Sequence, residues 1–159
     1  QTFFCALPPF MRQHYVFKMH QLLKENGKLV GLLFDREFTD GPPFGGNQQE
    51  YTTLFRDAFE FLQFQKNHNS IPQRANSELF VELQKKQNIV ALFELNGITC
   101  NGCSKTITDK ISDLNNVQNC SISSNFKEML LVSSKSIALE QLRDTLSYDE
   151  KYHIKPCAM

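Results

Sequence analysis

In the first half of the chain, short apolar runs stand on either side of a segment whose apolar residues recur at helical spacing. Residues 2–7 form an apolar, aromatic run, which predicts a strand buried on both faces. An apolar stripe at helical spacing then predicts a helix that Gly27 ends, its members being Tyr15, Val16, Met19, Leu22 and Leu23. Residues 28–34 predict a second strand; after a loop come a short helix at 48–55 and strands near 59–65 and 79–85. This order predicts the C-terminal half of an α/β, Rossmann-like sheet with parallel strands.

The second half has a different pattern, and the polar stretch 85–88 separates the two. Strands are predicted at 89–95, 117–123, 128–132 and 152–154. Two amphipathic helices lie between them, one with Cys103, Ile107, Ile111 and Leu114 on a single face, the other with Leu139, Leu142 and Leu146. The order βαββαβ predicts an α+β, ferredoxin-like domain. We therefore expect one domain over 1–86 and a second over 87–159.

Charge and hydropathy exclude several functional classes. The 159 residues include 17 basic and 17 acidic side chains, and no basic stripe indicates a nucleic-acid partner. The longest apolar runs are too short to span a bilayer, and no secretory leader is visible. We expect a soluble, cytoplasmic protein without nucleic-acid or membrane partners. Because the chain begins inside an apolar run without a methionine, we also expect it to be part of a longer protein.

The cysteines contain one informative spacing. There are five, an odd number at uneven intervals, which argues against a secreted disulfide framework. Cys100 and Cys103 lie where a strand leads into a helix, and a helix N-terminus favours thiolate. Two thiolates so spaced can converge on Cu(I), Zn(II) or another soft ion. A redox dithiol and a purely structural pair remain the alternatives, while Cys120 is expected to pack in the core and Cys157 to lie away from the loop.

The residues around this pair resemble a known metal-binding family. The string Gly97-Ile98-Thr99-Cys100-Asn101-Gly102-Cys103, between strand and helix of a βαββαβ unit, resembles the heavy-metal-associated domains of copper chaperones and metal-pumping ATPases. Ile98 stands where the family usually has a packing methionine, so we expect it to fill the same core position. The resemblance implies Cys100 and Cys103 as metal ligands and a possible metal-transfer partner protein.

In the first half, Arg12 is the candidate ligand-binding residue. A cation in the first turn of a helix opposes the macrodipole, and a guanidinium suits an anionic ligand; an arginine that extends into solvent is the alternative. Cys5 and Ala6 lie at the end of the predicted first strand, where open α/β sheets bind ligands. The loop 40–46 is either an apolar lid or a connecting turn. Scattered histidines give no hydrolytic triad, and no catalytic residue is assigned.

Four strings in order resemble the thiopurine S-methyltransferase family, most closely its thiol and halide methyltransferase branch. They are residues 2–7, 9–12, 41–43 and 69–74. The resemblance implies S-adenosylmethionine as cofactor, a small-molecule acceptor such as a thiol, and Arg12, Cys5 and Ala6 beside the cofactor. It also places the family's nucleotide loop in strands that this sequence lacks, so activity is expected only of a longer parent enzyme. The alternative is a metal chaperone or sensor with a remnant methyltransferase half.

Overall fold

A computed structural model describes Thr2–Cys157. The chain divides into two compact units, residues 1–86 and residues 87–159. Each is a mixed assembly of helices on an antiparallel sheet. Among the described residues, no helix combines the length and the apolar character that crossing a membrane requires.

The first unit carries a three-stranded sheet with two helices. In chain order its elements are α1 (Arg12–Leu22), β1 (Lys28–Phe34), α2 (Gln48–Phe55), β2 (Phe59–Lys66) and β3 (Glu78–Lys85). The strand order is β1-β3-β2, and both pairings are antiparallel. Leu79, Val81 and Leu83 alternate along β3 and are buried, as a strand with one covered face requires.

An aromatic cluster packs in the core of the first unit, where Phe4 meets the two helices. Phe4 packs edge-on against Tyr15 and Tyr51, with ring centroids 4.9 Å and 5.9 Å apart. Phe55 joins Phe4 at 5.9 Å and continues to Phe59 at 6.0 Å. Such pairs contribute about 0.5–1.5 kcal/mol each beyond their buried area. The cluster therefore joins the first residues of the chain to both helices.

The predicted strand at 2–7 is wrong. Phe4–Ala6, which includes the candidate residues Cys5 and Ala6, is a short 3-10 helix. The carbonyls of Phe3 and Phe4 accept hydrogen bonds from the amides of Ala6 and Leu7, at 3.0 and 3.1 Å. The aromatic side chain of Phe4 is buried and packs against Tyr15 of α1 and Phe55 of α2.

Parallel pairing in the first unit is likewise not found among Thr2–Lys85. β3 lies between β1 and β2 and pairs antiparallel with each, so the apolar runs form an antiparallel sheet. α1 also ends earlier than predicted, at Leu22, because Leu23 has extended backbone. Asn26, not Gly27, adopts the positive φ, at 56°. An asparagine tolerates this left-handed conformation better than most residues.

Two lysines hold the end of the first unit against its helices. The Lys85 ammonium donates to the carbonyl of Leu23, after α1, at 2.8 Å, and that of Lys86 donates to Arg56, after α2, at 2.6 Å. Cations are favoured at helix C-termini, where carbonyls lack partners. His20 is buried and bonds the Lys86 carbonyl at 3.1 Å. The polar stretch 85–88 therefore begins with two residues that are hydrogen-bonded to the helix ends of the first unit.

The second unit follows the predicted element order. Its elements are β4 (Ile89–Asn96), α3 (Asn101–Ser112), β5 (Val117–Ile122), β6 (Glu128–Ser133), α4 (Leu139–Leu146) and β7 (His153–Pro156). The strands form one antiparallel sheet in the order β5-β6-β4-β7.

The core of the second unit matches the predicted helix faces. Ile107 and Ile111 are fully buried on one face of α3, Cys103 is partly buried on the same face, and Leu114 is partly buried just beyond the end of the helix. Leu142 and Leu146 close the core from α4. Ile98 is also buried there, so its predicted packing role is confirmed.

Candidate functional site

The cysteine pair lies where β4 leads into α3. Cys100 is the N-cap residue of α3: its backbone is extended, and its sulfur accepts a hydrogen bond from the Cys103 amide at 3.3 Å. The carbonyl of Cys100 accepts from the Ser104 amide at 3.0 Å. A helix start has N–H groups without intrahelical partners, and here a sulfur satisfies one of them. The local helix start thus holds both cysteines on one turn.

The two sulfur atoms are in contact. The Cys100 thiol donates to the Cys103 sulfur across 2.9 Å, well beyond the S–S bond of about 2.05 Å in a disulfide. Cys100 is exposed and Cys103 half-buried. The hydrogen bond from the Cys100 thiol lowers the pKa of Cys103, and a second one from the Tyr152 hydroxyl lowers that pKa further. The pair is therefore an accessible dithiol with one sulfur biased toward thiolate.

Sequence reasoning missed two residues of this site, Lys151 and Tyr152. The phenol hydrogen-bonds Cys103, which raises the pKa of Tyr152 to about 12. The Lys151 ammonium pairs with Asp149 at 2.7 Å, lies 4.8 Å from the centre of the Tyr152 ring, and its charge lowers the Cys103 pKa slightly. Both residues stand just before β7, far from the pair in sequence.

Gly97 explains how these two segments meet. Its φ is +88°, and a Cβ placed on it would lie 1.9 Å from the Lys151 carbonyl oxygen. Only glycine permits both the conformation and the close approach. Gly97 was the one sequence signal for a second segment at the site, since a glycine at the end of a strand marks a turn or a close backbone contact.

The other cysteines lie outside the site. Cys120 is buried in the core, as predicted, and burial raises its pKa to about 12. Cys157 follows β7, and its pKa is raised to about 11, chiefly by burial. Within Thr2–Cys157, no group of three or more His, Cys, Asp or Glu side chains is placed to hold a metal ion. Cys100 and Cys103 present two sulfurs, the donor type that soft ions prefer.

In the first unit, Arg12 begins α1, as predicted, and is mostly buried. Its guanidinium donates to the Gly45 carbonyl at 2.5 Å and to the Glu50 carboxylate at 3.4 Å. It lies over the rings of Phe4 and Tyr51, 5.4 and 5.9 Å from their centres. Its Nε atom is buried without a hydrogen-bond partner among the described residues. The solvent-extended alternative therefore does not apply.

Cys5 and Arg12 contact neighbouring positions of one loop. The Phe44 amide donates to the Cys5 carbonyl at 2.6 Å, next to the Gly45 carbonyl that Arg12 binds. Gly46 closes the loop through a hydrogen bond to the Arg36 carbonyl at 3.1 Å. Of the candidate cofactor residues, Cys5 and Arg12 are brought together; Ala6 is exposed beside them. The loop 40–46 is therefore hydrogen-bonded to Cys5 and to Arg12.

Tyr51 supports this arrangement from α2. Its hydroxyl donates to the Phe34 carbonyl at 2.8 Å, and the side chain is fully buried. Burial raises the pKa of Tyr51 to about 12, against the opposing charge of Arg12. The phenol stays neutral across the physiological range, so its role is structural.

Known proteins match the first unit. The family model for thiopurine S-methyltransferase matches residues 1–92. "Thiocyanate methyltransferase 1" of Arabidopsis thaliana is 31% identical over 79 residues, 48% of this chain and 35% of that protein. "Probable thiol methyltransferase 2" of the same plant is 34% identical over the same shares. The chain thus spans about a third of the length of these relatives.

A solved structure titled "Crosstalk between Cu(I) and Zn(II) homeostasis" also aligns. It covers 43% of this chain and 99% of that chain, with 19% identity and a TM-score of 0.39. A likeness at this TM-score does not by itself establish a shared fold.

Proposed function

We propose, from the premise that this chain belongs to the thiopurine S-methyltransferase family, that the protein combines a methyltransferase with a soft-metal-binding unit. The methyltransferase part would transfer a methyl group from S-adenosylmethionine, the usual cofactor of the family, to a thiol or another soft nucleophile. The second unit would bind Cu(I) or Zn(II) through Cys100 and Cys103.

The acceptor class is supported by what the relatives are named for. One is a thiocyanate methyltransferase and the other a probable thiol methyltransferase. Both nucleophiles react through soft sulfur. Because the matched region is 35% of either relative, the activity is proposed for the parent enzyme and not for this chain alone.

The described residues fit only one side of a cofactor site. Arg12 and Cys5 are hydrogen-bonded to the loop 40–46, Ala6 is exposed next to Cys5 in the chain, and the Arg12 Nε atom is buried without a partner among the described residues. When bound, S-adenosylmethionine supplies an electrophilic methyl group on a sulfonium, and transfer to a thiolate removes both charges. Such a reaction needs proximity and exclusion of water more than a strong acid or base. Arg12 and the loop would contribute that positioning and exclusion.

For the metal, the single observation that carries the proposal is the sulfur pair. Two sulfurs 2.9 Å apart at the start of α3 form a preorganised soft donor set. The βαββαβ order with strand order β5-β6-β4-β7 supports a ferredoxin-like fold, and with it the resemblance to heavy-metal-associated domains. Two protein donors leave the ion open to a third ligand, which suits transfer to a partner protein.

Competition titration of the reduced, full chain with Cu(I) and a chromophoric chelator tests the metal proposal. The double variant Cys100→Ser/Cys103→Ser should lose the tight site, while Cys157→Ser, a half-buried cysteine outside the pair, should keep it. Metal loading should also protect Cys100 and Cys103 from alkylation. If both thiols alkylate equally fast with and without metal, the proposal is wrong.

The alternative, a metal chaperone or sensor with a remnant methyltransferase half, is supported by one observation. Both sulfurs come from Cys100 and Cys103, outside residues 1–92 that the family model matches. Adenosylmethionine binding by calorimetry on the full-length gene product separates the two proposals. Tight binding favours the enzyme; no binding with intact Cu(I) affinity favours the chaperone.

We further propose a cytoplasmic location without nucleic-acid or membrane partners. The support is the balanced charge and the free cysteines, which persist in a reducing compartment. Partners would be the small-molecule acceptor, the metal ion and a protein that receives the metal.

A further inference from the structure

Asparagine followed by glycine occurs three times in the chain, at Asn26-Gly27, Asn96-Gly97 and Asn101-Gly102. In such a pair the glycine nitrogen can attack the asparagine side-chain carbonyl, because glycine has no Cβ to obstruct the approach and its backbone is free to turn. Whether a given pair reacts depends on how firmly its backbone is held. The third pair separates the two sulfur ligands.

Local contacts restrain the first two pairs. The Gly27 amide donates to the Lys24 carbonyl at 2.9 Å, and the Asn26 side chain accepts from Gln84 at 3.3 Å. Asn96 ends β4 in register with His153, and Gly97 is pressed against the Lys151 carbonyl. In both cases the attacking nitrogen or the asparagine itself would have to give up a named contact.

The third pair differs in its exposure and in its glycine nitrogen. Asn101 and Gly102 are exposed and form the first two positions of α3. Amides in the first turn have no intrahelical acceptor, and within Thr2–Cys157 the Gly102 N–H has no other acceptor either. The space around Gly102 is open: the nearest atom to an added Cβ is the Cys100 sulfur, 3.9 Å away. Attack therefore costs the Gly102 nitrogen no hydrogen bond of its own, and what holds the turn is the bonds from the Ser104 and Cys103 amides to Cys100 and from the Thr106 hydroxyl to the Gly102 carbonyl.

We infer that Asn101 is a site of spontaneous deamidation that ages the sulfur pair. The Gly102 nitrogen forms a bond to the Asn101 side-chain carbonyl carbon, ammonia leaves with the displaced proton, and a succinimide results. Water then opens either carbonyl of the ring, giving aspartate or isoaspartate at position 101. No oxidant or cofactor is consumed, and the only co-reactant is solvent.

Both products alter the site between its two ligands. Each places a carboxylate at position 101, between Cys100 and Cys103 in the chain. Isoaspartate in addition lengthens the main chain between Cys100 and Cys103 by one methylene group. We expect protein that carries isoaspartate to bind Cu(I) more weakly than the Asn101→Asp variant, which has the carboxylate without the longer main chain.

The experiment ages the reduced, metal-free full chain at mildly alkaline pH and follows each Asn–Gly peptide by mass spectrometry, with enzymatic labelling of isoaspartate. We expect the peptide with Asn101 to convert several-fold faster than those with Asn26 and Asn96, and Asn101→Gln and Gly102→Ala to abolish that conversion. Conversion at Asn101 no faster than at Asn26 and Asn96 would overturn the inference.

The effect on metal affinity rests on the proposed function, and the two can fail separately. If Cu(I) binds across both sulfurs it should hold the first turn of α3 closed, so that loaded protein deamidates more slowly. Rapid conversion that Cu(I) does not slow would uphold Asn101 as a modification site and count against metal binding. Slow conversion with tight Cu(I) binding would contradict Asn101 as a modification site and support metal binding.

Discussion

The two units present their candidate sites in different ways. In the second unit both sulfur donors come from a single helix start, four residues long, and their contact at 2.9 Å needs little beyond that turn. In the first unit Arg12 is held by Gly45 and Glu50, each more than thirty residues away in sequence. The sulfur pair can therefore be predicted from the local sequence, whereas the contacts of Arg12 depend on a loop that is distant in sequence.

The two sites also differ in which of their polar groups have partners. The sulfur pair has both of its donors inside the described chain, together with a phenol that favours thiolate. Arg12 has a buried Nε atom without a hydrogen-bond partner in the described part of the chain. The region that matches the relatives is about a third of their length. Buried polar atoms usually have partners. The contacts of Arg12 thus depend on distant segments, whereas the two sulfurs and the phenol that bonds one of them all lie within the second unit.

The largest effect should come from the core beneath the sulfur pair. Ile107 is fully buried on the same face of α3 as Cys103, so Ile107→Ala should lower the free energy of unfolding of the second unit by about 2–5 kcal/mol. Hydrogen exchange on peptides from 87–157 measures it. Ile89→Ala, at an exposed position of β4, is the matched control and should change stability by less than about 0.5 kcal/mol. Equal effects would show that α3 does not depend on this core.

Removing the guanidinium tests the loop-held site of the first unit. Arg12→Met leaves the Gly45 carbonyl and Glu50 without their cation and should cost about 1.5–3 kcal/mol, with faster exchange in the loop 40–46. Arg56→Met is the control, since that side chain is largely exposed and pairs with its sequence neighbour Asp57. A loop that exchanges equally in both variants would contradict the role given to Arg12.

Adding a methyl group at two glycines of the sulfur site should have opposite effects. Gly97→Ala forces a positive φ on an L-residue, at about 1–2 kcal/mol, and pushes the Lys151 carbonyl away. Gly102→Ala lies in α3 with open space and should stabilise it by about 0.5–1 kcal/mol. Thermal unfolding of the two variants compares them. Equal shifts in the same direction would show that the contact between Gly97 and Lys151 does not matter.

The smallest effect concerns the pKa of one thiol. Tyr152→Phe removes a donor to Cys103, so its pKa should rise. Because the pKa of Cys103 is lowered in the folded protein, its thiolate is present above that pKa and lost as pH falls through it; the variant should lose thiolate at a higher pH. The pH dependence of Cys103 alkylation measures this. Tyr148→Phe, whose ring packs 5.5 Å from Tyr152, should leave the profile unchanged.

Much of the second unit could be predicted from its sequence. The face of α3 that carries Ile107 and Ile111 follows from helical spacing, and the strand–helix junction at Cys100 follows from the glycine and the change of period. The first unit was harder. An apolar run such as 2–7 fits a buried strand or a turn packed among aromatic rings, and the choice depends on which neighbours cover it.

By itself the sequence determined that Cys100 and Cys103 can meet, because a spacing of three residues at a helix start places both side chains on one turn. It also determined where most helices and strands lie. Only the tertiary structure decided that Tyr152 and Lys151 join Cys103, that Gly45 and Glu50 hold Arg12, and that β3 separates β1 from β2. Those contacts join segments distant along the chain, and local periodicity carries no information about which distant segments will pack together.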